Sequence, residues 1–172
     1  ELAGGGAILY DTYQIIDRLV ENFGIPLQVF SLSTSLAGDR QQRLYTTEDL
    51  AVITMKYSDT LFCSLTASRT LGPAKQFLRV CTGENIMTAD LDNFVITDPS
   101  GSEIEKRTFE QSHRDTINLV LEKFAASILD PENNPLDTDA QQDLKNMALI
   151  QAAYLSARTS MPEQPQQIQR LG

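Results

Sequence analysis

Apolar residues recur three and four positions apart at the start of the chain. Ile8, Ile15, Leu19 and Phe23, with Leu9, Ile16 and Val20 beside them, predict a helix that follows Gly4-Gly5-Gly6 and runs to about Asn22. Gly24 stops it, with Pro26 just beyond. The period then shortens towards two. Strand-like runs are Leu27 to Thr34, Leu50 to Tyr57, Leu61 to Arg69, Gln76 to Thr82, Ile86 to Leu91, Phe94 to Thr97 and Glu103 to Phe109. Ser35 to Thr46 reads as a loop, Ser58-Asp59-Thr60 as a hairpin turn, Gly72-Pro73 as a break, and Asp92-Asn93 and Pro99-Ser100-Gly101 as turns.

Helical spacing returns near the end. Ser112 is a candidate N-cap, with Asp115 as its capping-box partner, for a helix to about Leu129. Its stripe is Ile117, Val120, Leu121, Phe124 and Ile128. Asp137 or Thr138 caps a last helix carrying Leu144, Met147, Ala148, Ile150, Tyr154 and Leu155. Consecutive strands joined by tight turns run antiparallel. Grouped strands and grouped helices imply an α+β fold: an open, mostly antiparallel sheet of about seven strands, with helices on one face. Residues 1–161 are expected to form the domain. Residues 162–172, rich in proline and glutamine, are expected to form a loosely ordered tail.

In Leu50 to Tyr57, one side carries Ala51, Ile53, Met55 and Tyr57, and the other Leu50, Val52, Thr54 and Lys56. The second side is of mixed character. It is either a partner surface or a solvated face with scattered apolar residues.

Composition narrows the function classes. The chain has 172 residues, 41% of them hydrophobic, which suits one domain with a core. Its formal net charge of −9 opposes a nucleic-acid partner. No stretch of about 20 apolar residues implies a membrane span. Cys63 and Cys81 each fall inside a strand-like run and read as reduced thiols in a cytoplasmic setting. The chain begins at Glu1 and enters a helix almost at once, so a domain cut from a longer protein is expected.

The segment from Gly4 to Asp17, GGGAILYDTYQIID, resembles the glycine-triplet helix of the glucose–fructose oxidoreductase and inositol dehydrogenase family (Gfo/Idh/MocA). Further matches follow in order: Glu48-Asp49-Leu50-Ala51-Val52 with the turn at 58–60, Arg79-Val80-Cys81-Thr82-Gly83, and Asp143 to Arg158. The resemblance covers nearly the whole chain. It implies the C-terminal domain of an NAD(P)-dependent oxidoreductase that acts on a sugar, polyol or related small substrate. NAD or NADP would be bound by a separate Rossmann domain, which also usually contributes a lysine. This domain would form the substrate side, and its sheet a homodimer contact.

The family's helix presents an aspartate and a histidine four residues apart, a pair suited to proton transfer. Here Tyr10 and Gln14 stand at those positions. Shifting the register by one matches Asp11 to the aspartate, but it puts Ile15 at the histidine and breaks the match of Asp17. Glutamine exchanges no proton near neutral pH, and tyrosine is a poor base there. Tyr10 and Gln14 are therefore substrate contacts, polar residues beside a domain interface, or a true acid–base pair; the catalytic residues stay unknown. The alternative function is a non-catalytic relative serving as a ligand-binding or dimerisation module. A helix-grip pocket protein shares the sheet-and-helix order, but the glycine triplet and the paired final helices argue against it.

The triplet follows no strand and lacks dinucleotide spacing, so close packing at a helix entry is expected rather than a phosphate cradle. His113, the single histidine, has no companion ligand and reads as a surface residue, and no metal site is expected. Cys63 reads as a buried thiol rather than a reactive one.

Overall fold

A computed structural model describes residues 6–35, 47–73, 75–109, 113–135 and 140–169, with the side chains of 113–116 and 169 excepted. The expected caps Ser112, Asp115, Asp137 and Thr138 lie outside those descriptions. The class is α+β, and the seven strands among the described residues all pair antiparallel. The strands divide into sheets of three and four. The chain forms two compact units, Glu1–Gly72 with Asp139–Gly172, and Pro73–Thr138.

In the first unit, β1 (Gln28–Thr34), β2 (Leu50–Lys56) and β3 (Phe62–Ser68) lie in that order, with β2 central. Alternation decides the faces. Ala51, Ile53 and Met55 point inward and are at most 1% exposed, whereas Val52, Thr54 and Lys56 point out. Register places Val29 beside Met55, and Leu65 beside Ile53. α1 (Tyr13–Phe23) supplies Ile16, Leu19 and Val20 to the same core. Full burial of each such side chain contributes about 1.5–3 kcal/mol.

α3 (Ala140–Thr159) packs on β1 and α1. Its Ala148, Ala152, Ala153 and Ser156 are buried, and these small residues let backbones approach. The Ser156 hydroxyl accepts a bond from the Ser31 amide at 3.0 Å. Burial around α3 differs from the expected stripe: Leu144 and Met147 are about half exposed, while Asn146 is fully buried. Packing on several sides selects short residues where an amphipathic reading selects long ones.

Two further differences have local causes. The first helical segment is not continuous. A π-helical turn (Ala7–Asp11) precedes α1, with Thr12 between them. The buried Thr12 hydroxyl donates back to the Ile8 carbonyl, a bond that competes with the regular ladder. α1 ends at Gly24, whose φ of 75° suits glycine.

The supposed loose tail is held as far as it is described. Val29 and Glu163 exchange two backbone bonds of 2.8 Å. Gln166 donates to the Pro26 carbonyl at 2.7 Å, and the short α4 (Pro165–Gln169) begins on a buried proline. Backbone pairing needs no apolar periodicity, so the composition of the segment gave no hint of it.

The second unit contains β4 (Phe77–Cys81), β5 (Ile86–Asp90), β6 (Asn93–Thr97) and β7 (Glu103–Thr108) as a meander, followed by α2 (His113–Leu129). Two of its turns are built on aspartates, Asp90 and Asp98. Asp90 Oδ1 accepts from the amides of Asp92 and Asn93, and those bonds hold its pKa below the usual carboxylate range. No helix among the described residues is long and apolar enough to cross a membrane.

Candidate functional site

The entry to the first helical segment is closed by the chain itself. A Cβ on Gly6 would fall on the Glu48 carboxylate, so glycine there makes room for an acid. Glu48 Oε1 accepts from the Ile8 amide at 2.9 Å and from the Tyr154 hydroxyl at 2.8 Å. Its carbonyl also accepts from the Ala7 amide at 3.0 Å. Burial, then the bond to Glu48, pushes the Tyr154 phenol up to about 12. Negative charge at a helix start is favourable. Glu48 thus fills the space beside Gly6, and the chain packs closely there.

Outward from this plug, the π-helical turn presents Tyr10, which is 74% exposed. The Arg69 guanidinium, at the end of β3, lies 5.5 Å from the Tyr10 ring centroid. Arg69 Nε donates to Asp11 Oδ2 at 2.6 Å, and the two side chains are 30% and 32% exposed. That bond raises the Arg69 pKa further above its ordinary value. Gln14 is exposed on the first turn of α1. No side-chain hydrogen bond engages it among the described residues. Tyr10 thus joins Arg69 and Asp11 in one cluster, and Gln14 stands free on the neighbouring helix.

Behind this surface the helix is fixed to α3. The Tyr13 hydroxyl donates to Asp143 at 2.8 Å, a bond that raises the Tyr13 pKa. Asn146 Nδ2 donates to Asp17 Oδ1 at 2.7 Å. Asp17, the last residue of the glycine-triplet segment, therefore holds two helices together.

Sequence reasoning missed Asp11, Glu48 and Arg69 as parts of one arrangement. The signal for Arg69 was a charge closing an apolar run. Its partner lies 58 residues away, a pairing that no local pattern reveals.

The other candidates are simpler. Cys63 is part-buried, and burial pushes its thiol up, away from reactivity. Cys81 is exposed, and both cysteines are free. The side chain of His113 lies outside the described residues. No group of three or more His, Cys, Asp or Glu suited to a metal occurs among the described residues. On the outer face of β1–β3, a shallow groove of about 310 Å³ is lined by Phe30, Thr54, Lys56, Phe62 and Pro162, among others.

No protein-family model and no curated protein matches the chain. Solved structures do. A Desulfitobacterium hafniense protein assigned as an NADPH-dependent oxidoreductase superposes with a TM-score of 0.73 at 16% identity, over 96% of this chain and 50% of its own. An oxidoreductase from Agrobacterium radiobacter, solved with NAD+, L-tartaric acid and magnesium, gives 0.65 at 13%, over 91% and 48%. The WlbA dehydrogenase of Bordetella pertussis, solved with NADH and UDP-GlcNAcA, gives 0.57 at 20%, over 93% and 45%. At these identities the likeness is one of fold. The chain spans about half the length of each of these structures.

Proposed function

We propose that the chain is the C-terminal domain of an NAD(P)-dependent oxidoreductase of the Gfo/Idh/MocA type, acting on a sugar, polyol or related small molecule. The observation that carries this reading is the extent of the fold likeness. Nearly all of this chain superposes on about half of each of several nicotinamide-dependent enzymes. The glycine-triplet segment supports it, because its exposed positions are polar.

The space beside Gly6 does not fit a phosphate, because the Glu48 carboxylate occupies it. On this reading the nicotinamide would be held by a separate nucleotide-binding domain. When bound there, it supplies the hydride acceptor or donor. This chain supplies binding. Tyr10 and Gln14 hold the substrate by hydrogen bonds, and the neutral Gln14 amide can orient a hydroxyl but cannot take its proton. A base from the nucleotide-binding domain, in this family usually a lysine, completes the reaction.

The experiment is turnover by the intact protein with NAD+ and NADP+ across a panel of sugars and polyols. Gln14→Ala should raise KM by about twofold to thirteenfold, the value of one neutral hydrogen bond of about 0.5–1.5 kcal/mol, with kcat little changed. A fall in kcat of about 10²-fold or more at unchanged KM would identify Gln14 with the chemistry instead.

Subunit pairing through the outer face of β1–β3 belongs to the same proposal. Leu32 (56% exposed) lies opposite Val52 (38%) in the register, and Phe62 (75%) lies at the edge. Light scattering should find a dimer in a cytoplasmic enzyme of this kind, and Val52→Lys should weaken it. A monomer at high concentration removes this part.

A second reading is a non-catalytic relative used for ligand binding or dimerisation. The combination of Tyr10 and Gln14 favours it, since the aspartate and histidine that the family presents at these positions are replaced. Full binding with no nicotinamide turnover by the intact protein would select it.

A further inference from the structure

A helix of five residues does not hold itself. Isolated helices shorter than about 12–15 residues are marginal in water, and a π-helical turn is a rare, single-turn form. The turn Ala7–Asp11 therefore depends on bonds from outside it. Its entry is buried, with Ala7 and Ile8 at 0% exposure. Its exit is not, since Tyr10 and Asp11 face solvent.

Both ends are tied to one place in the sheet. Glu48 and Asp49 are the two residues before β2, the central strand. Glu48 takes the entry: its carbonyl accepts from the Ala7 amide at 3.0 Å, and its Oε1 from the Ile8 amide at 2.9 Å. Asp49 reaches the exit through Arg69. Its carbonyl accepts from the Arg69 amide at 2.9 Å, and Arg69 Nε donates to Asp11 Oδ2 at 2.6 Å. The Asp49 amide donates to the Thr34 carbonyl at 3.0 Å, so this point is itself fixed to the end of β1.

Tyr10 lies between the two ties. Its ring is 74% exposed, and no hydrogen bond engages its side chain among the described residues. The Arg69 guanidinium, 5.5 Å from the ring centroid, supports it. Arg69 thus holds both the residue after Tyr10 and the Tyr10 ring.

We propose that Glu48 and Arg69 are positioning residues: they clamp the π-helical turn at its two ends and hold Tyr10 in its binding orientation before a ligand arrives. The consequence for binding rests on the reading of Tyr10 as a substrate contact. The consequence for Tyr10 itself does not.

The test has two arms, both on the intact protein. In the first, 3-fluorotyrosine replaces the tyrosines, and the Tyr10 fluorine signal is assigned by its loss in Tyr10→Phe. Arg69→Gln should narrow that signal and move it towards its position in the denatured protein. The thermal midpoint should change little, because a part-exposed ion pair contributes little to stability. Arg69→Lys keeps a cation near the ring and should move the signal less; it carries the test if circular dichroism shows Arg69→Gln unfolded. Glu48→Asp, one methylene short of the Ile8 amide, should also move the signal, whereas Glu48→Gln keeps an acceptor oxygen and should not. A signal that stays in place in Arg69→Gln or in Glu48→Asp overturns the proposal for that residue.

The second arm measures KM for myo-inositol, D-glucose and the rest of the sugar and polyol panel. Arg69→Gln should raise KM by about twofold to thirteenfold, the cost of ordering one side chain on binding, with kcat little changed. In the Tyr10→Ala background the same substitution should change KM by less than about twofold. An equal rise in both backgrounds would make Arg69 a direct contact. An unchanged KM in Arg69→Gln where Tyr10→Ala raises it would show that Tyr10 needs no holding. Either result overturns the proposal. Failure of the oxidoreductase reading looks different: no panel member is turned over, or Tyr10→Ala leaves KM unchanged, while the fluorine signal still responds to Arg69→Gln.

Discussion

The two units use similar hairpins and reach different interiors. In the first, a three-stranded sheet has helices laid on one face, and every buried apolar residue among those described belongs to it. In the second, four strands form a longer meander, yet its apolar side chains stay part-exposed or exposed. On α2, Val120, Leu121, Phe124 and Ile128 are 52–64% exposed. The lesson is that ladder pairing satisfies backbone groups, whereas a core requires a second layer. Ile53 and Val120 both sit in well-patterned elements, but only Ile53 has a layer above it.

Mutational cost should follow that difference. Ile53→Ala removes a side chain that is 1% exposed, and it should cost about 2–5 kcal/mol in chemical denaturation. Val120→Ala, at 61% exposure, should stay within about 0.5 kcal/mol. A Val120 effect as large as that of Ile53 would break the comparison, since it would mean that a partner layer covers α2 in solution.

The first unit also holds every buried polar residue among those described except Ser127. Glu48→Ala leaves the Tyr154 hydroxyl and the Ile8 amide without their acceptor, so a loss of about 1–3 kcal/mol is expected. Gly6→Ala should act in the same direction by displacing that carboxylate. A thermal midpoint unchanged by either substitution would remove Glu48 as the fastening of the helix entry.

Titration sharpens the contrast with a smaller effect. All five tyrosines lie in the first unit by sequence, so tyrosinate absorbance reports on that unit alone. Burial pushes Tyr57 up to about 12, and burial with the Glu48 bond does the same for Tyr154. Both folded values lie above the ordinary value of about 10, so the unfolded chain releases these protons first as pH rises. Their contribution is fully present below pH about 10 and is lost as pH climbs through about 12. The double variant Tyr57→Phe/Tyr154→Phe should show a shallower fall in stability over that window. An identical slope would show that the two phenols carry none of it.

The seven strands and three long helices were legible from residue order, with ends displaced by a residue or so at most sites. Period-two alternation in Leu50 to Lys56 identifies its buried side, because a pleated strand has only two sides to offer. Gly24 and Pro26 likewise end a helix wherever they occur in such a pattern. Tyr10 and Gln14 could be singled out by position in a motif, and both are exposed. These are local properties, set by backbone sterics and spacing.

The tertiary structure decided the rest. It broke the first helical segment at Thr12, held the tail at Glu163 and divided the strands three and four. It also brought Arg69 to Asp11 and Glu48 to Gly6, across 58 and 42 residues. The Arg69–Asp11 bond and the Glu48–Gly6 contact join polar or small groups far apart in the chain. Such groups have no periodicity of their own, so the sequence supplied the pieces while the packing of α1 and α3 against one sheet face decided which of them would meet.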